Sequence, residues 1–217
     1  DFIACEDTRV TLKLLNKFNI KKTMISYHDH NRMTRGDEIL SRLQSGESCA
    51  LVTDAGMPAI SDPGQDLVAL AHQNGIEVVS VPGPSAVITA LAISGIECNR
   101  FCFEGFLSGV KSERRARLGE IKSEKRTMVF YEAPHKLVAT LSDMLAAFGE
   151  RKIAVIKELT KIHENVMHTT LSEAVEHFAA TSPKGEFVLI VSGAAETETA
   201  QMTFDEALDY ARDVVAD

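Results

Sequence analysis

Clusters of polar and charged residues follow the apolar runs of this sequence, one cluster after each run. Glu6 to Arg9 follow the run FIAC, and His28 to Asn31 follow MISY. Asp54 opens the loop DAGMPAISDPG after CALVT, and PGPSA follows IEVVSV. Carboxylates, imidazoles and guanidinium groups can transfer protons, bind cations or hold phosphates. Since ligands bind at the carboxyl ends of the strands in a parallel sheet, these clusters are the candidate site residues.

The loop at 54–64 is longer and more irregular than a simple connection requires. A strand-to-helix connection needs only about two to six residues. Here Gly56, Pro58, Asp62, Pro63 and Gly64 fall within nine residues. Proline fixes φ near −65°, so such a backbone is held in place and presents its amides and carbonyls without reordering. The loop therefore suits a small zwitterionic ligand that is recognised mainly by backbone groups.

Several of these residues also have simpler interpretations. Asp7 and Thr8 favour the start of a helix, where acids and hydroxyls cap free amides. His28, Asp29 and His30 suggest a metal site, but no third ligand stands at a convincing spacing, so ordinary polar loop residues are favoured. The four cysteines match neither a zinc ribbon nor a redox CxxC. The sequence also lacks GxGxxG, GxxxxGK[ST], HExxH and GxSxG, which argues against a dinucleotide site and a P-loop.

Strand and helix patterns alternate along almost the whole chain. Periodicity predicts strands at 2–5, 24–27, 49–53, 76–81, 101–107, 127–132, 152–158, 166–171 and 186–191. It predicts helices at 8–18, 33–44, 65–74, 84–93, 112–122, 135–148, 172–180 and 204–215. In the first helix Val10, Leu14 and Phe18 share one face, and 49–53 has the continuous apolar character of a strand covered on both faces.

This order predicts an α/β fold with two lobes. The βαβ series of the first half implies a parallel, Rossmann-like sheet with right-handed crossovers. In the second half consecutive strands have less helix between them, which predicts a mixed sheet. We place the N-terminal lobe at residues 1–103 and the C-terminal lobe at 104–217.

Composition and charge limit the function classes. The 217 residues carry a net charge of −8, which argues against a nucleic-acid-binding surface over the whole protein. The charge is uneven: residues 111–126 hold seven basic and three acidic residues, and 194–217 hold seven acidic and one basic. A solvated helix face is the ordinary explanation for 111–126, and a phosphate-facing patch is the alternative. No apolar run approaches the roughly 20 residues of a membrane span, and no signal peptide is visible.

Seven ordered blocks resemble one enzyme family over essentially the whole chain. The blocks resemble the tetrapyrrole-methylase superfamily of class III S-adenosylmethionine-dependent methyltransferases, and in particular its members that methylate small-subunit ribosomal RNA. They are ACEDTR (4–9), SYHDHN (26–31), LVTDAGMPAISDPG (51–64), VPGPSAVITAL (81–91), FYEAPHKL (130–137), KELTKIHE (157–164) and KGEFVLIV (184–191).

The resemblance implies a cleft between the two lobes that binds S-adenosylmethionine. Asp54 is expected near the sulfonium or amino group, Gly56 to Ser61 offer backbone groups, and Ser85 closes the methionine end. The second lobe is expected to cover the other side and to form the adenine pocket. The cofactor-binding residues implied in this way are Asp54, Ala55, Gly56, Pro58, Ile60, Ser61, Asp62, Ser85, Ala86, Tyr131, Leu159, Thr160, Phe187 and Val188.

The resemblance also implies a reaction, namely methylation of the ribose 2′-hydroxyl of a cytidine in 16S ribosomal RNA. A ribose hydroxyl is a weak acid, so a positioned base or cation typically contributes about 10²–10⁴-fold. The candidates for this role are Asp7, Arg9, His28, Asn31 and Glu132. We favour His28 as proton acceptor, with Asn31 and Arg9 placing the ribose and phosphate, and His28 as an organiser of its loop is the alternative. No metal is required, because the sulfonium carries its own activation.

Partners and boundaries follow from the same resemblance. It implies ribosomal RNA or the assembled small subunit as substrate, a homodimer, a cytoplasmic location and no membrane contact. It also implies that the family's first strand precedes residue 1 and that a C-terminal extension follows residue 217. Three alternatives stay open: a tetrapyrrole or other small-molecule methyltransferase, a metal-dependent phosphohydrolase that uses Asp54, Asp62 and His28, and a non-catalytic RNA-binding subunit.

Overall fold

A computed structural model of the chain describes residues 1–195. The strands are β1 (Phe2–Cys5), β2 (Thr23–Ser26), β3 (Cys49–Val52), β4 (Phe101–Phe106), β5 (Thr127–Glu132), β6 (Lys152–Lys157), β7 (Asn165–Thr170) and β8 (Phe187–Val191). The helices are α1 (Thr8–Lys17), α2 (Arg32–Gln44), α3 (Gln65–Gln73), α4 (Ala86–Ile93), α5 (Lys111–Glu120), α6 (Leu137–Phe148) and α7 (Leu171–Ala179). The helix predicted at 204–215 lies outside the described residues.

The first sheet is parallel, as the βαβ pattern predicts. Its strand order is β2-β1-β3, and all four residues of β1 are buried. The prediction that 49–53 is covered on both faces is wrong, because Ala50 in the middle of β3 is exposed. Apolar residues favour burial, but whether a strand is covered depends on the elements that pack against it.

Helix α1 forms where predicted, with its apolar row turned outward. Thr11 and Leu15 are its buried residues. Val10, Leu14 and Phe18 share one face as predicted, but they are 40%, 55% and 60% exposed. The periodicity of a helix identifies a face and leaves open which face meets the sheet.

The segment at 76–81 is not a strand, so that prediction is wrong. No ladder joins it to another strand within residues 1–195, and Val79 and Val81 are 75% and 81% exposed. Its β-branched residues favour an extended backbone, but a strand exists only when a neighbouring backbone supplies hydrogen bonds. The helix predicted from Pro84 begins at Ala86, because Ser85 at its N-cap keeps an extended backbone with φ −135° and ψ 121°.

The second sheet is mixed, as predicted. Its order is β4-β5-β8-β6-β7; β4 and β5 are parallel, and the pairs through β8 and β7 are antiparallel. One face packs on α5, α6 and α7 through residues such as Leu118, Leu141 and Phe178. The other face packs on α4 through Val87 and Ala90. Because side chains alternate along a strand, consecutive residues of β8 pack into different cores.

The passage between the sheets lies at residues 94–100. The predicted lobe boundary between 103 and 104 falls inside β4, whose first residues pair with β5. The division into two lobes at that point stays a prediction. Within residues 1–195 no helix is long and apolar enough to cross a membrane.

Candidate active site

Three strand ends form the base of the site. In the parallel register Cys5 lies opposite Ser26 of β2 and Val52 of β3, so these strands end at one level. The Tyr27 amide donates to the Cys5 carbonyl at 2.8 Å, which holds the next residues together as well. The clusters that follow β1, β2 and β3 therefore meet at one edge, as the sequence predicts.

Three carboxylates gather at this edge. The Thr53 hydroxyl donates to Glu6 Oε2 at 2.8 Å and also lies within hydrogen-bonding reach of Asp62. Desolvation and the Glu6 charge raise the pKa of Asp54 above its ordinary value. Burial, followed by the charges of Glu6 and Asp54, raises the pKa of Asp62. Within residues 1–195 neither aspartate forms an ion pair with a lysine or arginine, so the edge is a site of negative potential that favours a cation.

The loop at 54–64 keeps its backbone groups free. Within 55–63 the backbone-to-backbone hydrogen bond that the structure describes runs from the Ile60 amide to the Met57 carbonyl, at 3.4 Å. Ala59 and Ser61 have left-handed φ values of 67° and 58°. Such strain persists only where surrounding structure imposes it, and it concentrates at ligand-binding sites. The loop can therefore present amides and carbonyls to a ligand, as its prolines predict.

Gly64 anchors the end of this loop. Its φ is 143°, and a Cβ added there would lie 2.7 Å from Leu51 Cδ2 and 3.3 Å from Ala59 Cβ. Its carbonyl accepts the Val68 amide at 2.9 Å at the start of α3. Glycine is required because the loop, β3 and α3 converge on one buried point.

The second lobe faces the loop through β4 and β5. A Cβ added at Gly105 would lie 3.5 Å from Ser61 Oγ, so the loop rests on β4. The Tyr131 ring packs against Phe103 with a centroid distance of 5.0 Å. Burial raises the pKa of Tyr131, and its ring lies in the same apolar cluster as Val87 in the first turn of α4.

Four of the predicted cofactor residues share one apolar cluster. Ala86, Tyr131 and Leu159 pack around Val188 on the face of the second sheet that carries α4. Phe187 lies in the opposite core with α6 and α7, because it precedes Val188 on the same strand. The structure thus brings Val188 to the cleft side and turns the Phe187 side chain away from it.

The turn after β6 is strained, like the loop at 54–64. Glu158 and Thr160 have φ values of 50° and 64°. The Thr160 amide donates to Glu164 Oε2 at 2.6 Å, so this amide already has a partner within the turn. Four of the five non-glycine residues with positive φ within 1–195 lie in these two loops: Ala59, Ser61, Glu158 and Thr160.

His28 and Asn31 organise the turn after β2. Asn31 Oδ1 accepts the His28 amide at 2.9 Å, and Asn31 Nδ2 donates to the Ser26 carbonyl at 3.0 Å. The same Nδ2 lies 3.3 Å from His28 Nε2. Because an amide nitrogen only donates, Nε2 accepts and the proton of neutral His28 resides on Nδ1. That buried Nδ1 has no partner within residues 1–195, so this geometry makes His28 a hydrogen-bond donor and an organiser of its loop.

Asp7 and Arg9 form a local pair at the start of α1. Asp7 caps the helix by accepting the Arg9 amide at 2.8 Å, as the simpler interpretation predicts. Arg9 Nη2 lies 2.6 Å from Asp7 Oδ2, and this hydrogen bond lowers the pKa of Asp7 to about 2. Asp7 is thus a constant negative charge, and the Arg9 side chain, 87% exposed, can reach a ligand.

Glu132 lies at the end of β5 with both carboxylate oxygens engaged. It is 2% exposed, and Oε2 accepts the Thr140 hydroxyl at 2.5 Å. Oε1 accepts the Ala133 amide at 2.8 Å and lies 3.3 Å from Lys136 Nζ. A carboxylate held in this way supports the β5–α6 turn, and the structure does not bring it together with the other candidates for proton transfer.

The four arginines of the basic run at 111–126 form ion pairs. Arg114 and Arg115 both contact Asp143, at 2.6 and 2.7 Å. Arg117 contacts Glu104 at 2.7 Å, and a further pair joins Arg126 to Glu124 at 2.7 Å. These pairs support the ordinary explanation of a structural helix face over a phosphate-facing patch.

The structure adds Thr53 to the site, a residue that the sequence placed inside a strand. The Thr53 hydroxyl and the Asp54 amide both donate to Glu6 Oε2, which joins the ends of β1 and β3. The position of Thr53 at the end of a predicted strand was the available signal. Within residues 1–195 no group of three or more His, Cys, Asp or Glu side chains is arranged to hold a metal.

The donor set fits S-adenosylmethionine. Its sulfonium and ammonium groups are cations, and Glu6, Asp54 and Asp62 supply the opposite charge, with the Arg9 guanidinium as the nearby protein cation. The free backbone of 55–63 offers hydrogen bonds, and the cluster around Val188 offers an apolar surface.

Comparison with known proteins agrees with this site. The profile of the family "Tetrapyrrole (Corrin/Porphyrin) Methylases" matches residues 1–175. A protein of Synechocystis sp. named ribosomal RNA small subunit methyltransferase I is 47% identical over 217 residues, which are 100% of this chain and 78% of the relative. A protein of the same name from Halalkalibacterium halodurans is 47% identical over 208 residues, 96% of this chain and 72% of the relative.

A solved structure shares the fold. The uroporphyrin-III C-methyltransferase from Thermus thermophilus, complexed with S-adenosyl homocysteine, superposes with a TM-score of 0.56 at 13% identity. The superposition covers 88% of this chain and 97% of that one. With the family profile and two relatives that are 47% identical over most of this chain in agreement, the chain belongs to the tetrapyrrole (corrin/porphyrin) methylase family, alongside the ribosomal RNA small subunit methyltransferases I.

Proposed function

We propose that this chain transfers a methyl group from S-adenosylmethionine to the ribose 2′-hydroxyl of a cytidine in 16S ribosomal RNA. One observation carries the proposal: the unpaired acidic edge and open loop lie in a chain 47% identical to a small-subunit ribosomal RNA methyltransferase over its full length. S-adenosylmethionine, when bound, supplies a methyl group already activated by its sulfonium.

The residues of the chain bind S-adenosylmethionine and orient it. Asp54 and Asp62 favour the cationic end of the ligand, and the backbone of Gly56 to Ser61 holds its polar groups. Ala86, Leu159 and Val188 provide the apolar wall. Orientation of the reacting groups can contribute about 7–11 kcal/mol in the best intramolecular cases, so a strained, pre-formed loop is useful.

On the RNA side, Arg9 is the available group, because its side chain is exposed and can meet a phosphate. Asn31 and His28 hold the turn after β2 in shape, with His28 Nδ1 buried. We infer in addition that the chain acts as a homodimer in the cytoplasm; light scattering of the purified protein and fractionation of cells test these two points.

Titration calorimetry with S-adenosylmethionine, without added metal, tests the cofactor site. Asp54→Ala is expected to weaken binding about tenfold or more, since a hydrogen bond to a charged group contributes about 1.5–3 kcal/mol. Asp37→Ala is the matched control, because it removes an equally exposed aspartate on α2. No binding by a folded protein, or equal losses in the two variants, would contradict the assignment.

Labelled-methyl transfer to small ribosomal subunits and to naked ribosomal RNA tests the reaction. A 2′-O-methyl group removes the hydroxyl that attacks the neighbouring phosphodiester, so the product resists alkaline cleavage at one position. Label on a base, or transfer only to a tetrapyrrole, would exclude ribose methylation of RNA. Retained RNA binding without any transfer would instead favour the non-catalytic subunit.

A further inference from the structure

Helix α1 and the connection that follows it carry a run of basic residues without an intervening acidic one. From Thr8 to Lys22 the sequence holds five basic residues and no acidic one, in a chain with net charge −8. All five are exposed: Arg9, Lys13, Lys17, Lys21 and Lys22. Within residues 1–195 the four lysines form no ion pair, in contrast to the arginines of α5.

These cations form a row. Arg9, Lys13 and Lys17 stand four residues apart on a helix, so they share one side and follow one another at a rise of about 6 Å. Lys21 and Lys22 follow in the connection to β2, after the helix has ended at Lys17. We call these five residues the α1 basic row.

The α1 basic row begins at the candidate active site. Arg9 pairs with Asp7, and the Asp54 charge acts on the same guanidinium. Both aspartates follow strand ends at the edge that holds the cofactor loop. A polyanion that follows the row therefore arrives at the place where methyl transfer occurs.

An apolar row lies beside the basic one. Val10, Leu14 and Phe18 each follow a basic-row residue by one position, and Phe18 is 60% exposed. Basic grooves combined with exposed aromatic rings are how proteins bind single-stranded nucleic acids, because phosphates meet the cations and bases stack on the rings.

We propose that the α1 basic row binds successive phosphates of the substrate RNA strand, with Phe18 stacking on one of its bases. The RNA identity of the strand rests on the proposed function. A second copy is the less suitable occupant of this surface. In a twofold interface the same patch meets itself, so five cations would oppose five cations across the contact.

The test compares two triple variants of the whole chain with equal change of charge. Lys13→Gln, Lys17→Gln and Lys21→Gln remove three cations of the row. Lys111→Gln, Lys152→Gln and Lys184→Gln remove three exposed lysines elsewhere and serve as the control. The probe is a labelled single-stranded RNA fragment of the small subunit, and its dissociation constant is measured over a range of salt concentrations.

The row variant is expected to lower the slope of log affinity against log salt by about 2, since each single-strand phosphate contact contributes about 0.7. At 0.1 M salt the same three contacts correspond to an affinity loss of about 100-fold. The control is expected to keep the wild-type slope. Phe18→Ala is expected to weaken binding on the order of tenfold with the slope unchanged, because stacking involves no counterions.

Two further readouts separate the possible failures. If the wild-type chain binds neither S-adenosylmethionine nor RNA, the proposed function fails. If it binds both and the row variant keeps the wild-type slope, the function stands and the α1 basic row is excluded. A row variant that changes the oligomeric state in light scattering while keeping RNA affinity would show that α1 meets a second copy, which also overturns the inference.

Discussion

Replacement of Gly64 by alanine tests the geometry of the cofactor loop most directly. At φ 143° an alanine is strained, at a cost of about 1–3 kcal/mol. Its Cβ would lie 2.7 Å from Leu51 Cδ2, and overpacking of this kind costs about 1–3 kcal/mol more. We therefore expect Gly64→Ala to lower the free energy of unfolding by about 2–6 kcal/mol.

Gly56→Ala is the matched control in the same loop. Gly56 has φ 79°, and nothing lies within 4 Å of an added Cβ. Its cost is the backbone strain alone, about 1–2 kcal/mol. Comparison of the two variants thus separates the cost of the contact with β3 from the cost of the left-handed conformation.

Equilibrium unfolding in urea measures the difference. With a slope near 2 kcal/mol per molar urea, Gly64→Ala is expected to shift the midpoint by about 1–3 M. Leu51→Ala in the Gly64→Ala background removes the crowded methyl group and is expected to recover part of the loss, a coupling of about 0.5–3 kcal/mol. Equal losses for Gly64→Ala and Gly56→Ala, or no recovery with Leu51→Ala, would refute the argument.

Three further predictions concern charged groups. Arg9→Gln should raise the pKa of Asp7 from about 2 toward its ordinary value; because the folded pKa is the lowered one, the stabilisation is present above pH 4 and disappears as pH falls through 2. Carboxyl NMR titration measures the pKa, and an unchanged midpoint would contradict the pairing. Burial and like charges raise the pKa of Asp62, so its charged form destabilises the fold at pH 7. Asp62→Asn should therefore raise the melting temperature at pH 7 and weaken cofactor binding. Asp37→Asn should change neither. Glu132→Gln should destabilise the fold by about 1–3 kcal/mol but leave methyl transfer per folded molecule unchanged. A loss of turnover without a loss of stability would show instead that Glu132 has a catalytic role.

Much of the site follows from the order of residues along the chain. Hydrophobic periodicity places strand ends before the acidic and imidazole clusters, and parallel pairing brings those ends to one edge. This is why the clusters that begin at Glu6, His28 and Asp54 could be predicted at one edge of the sheet without coordinates. The irregular loop at 54–64 could also be predicted from the sequence, because proline fixes φ and glycine permits backbone conformations that other residues avoid.

Long-range pairing decided the roles of individual charges. Arg114 and Asp143 are 29 residues apart, and only the packing of α5 on α6 makes the arginine a buried structural partner. Glu132 follows a strand end like the other candidates, yet Thr140 and Lys136 occupy its oxygens. Residue type predicts that a group can act, and its contacts determine whether it is free to do so.

The sequence by itself determined the α/β order, the mixed second sheet and the family, because propensity, periodicity and motif blocks are local properties of the chain. Tertiary structure decided which faces are covered. Among residues 1–195 it left the apolar row of α1 in solvent, placed β3 at the edge of its sheet and left 76–81 without a ladder. It also put Phe187 and Val188 into different cores. The physical reason is that burial and strand pairing each require two partners, the segment itself and the part of the chain that packs or pairs with it. A local sequence pattern describes only the segment.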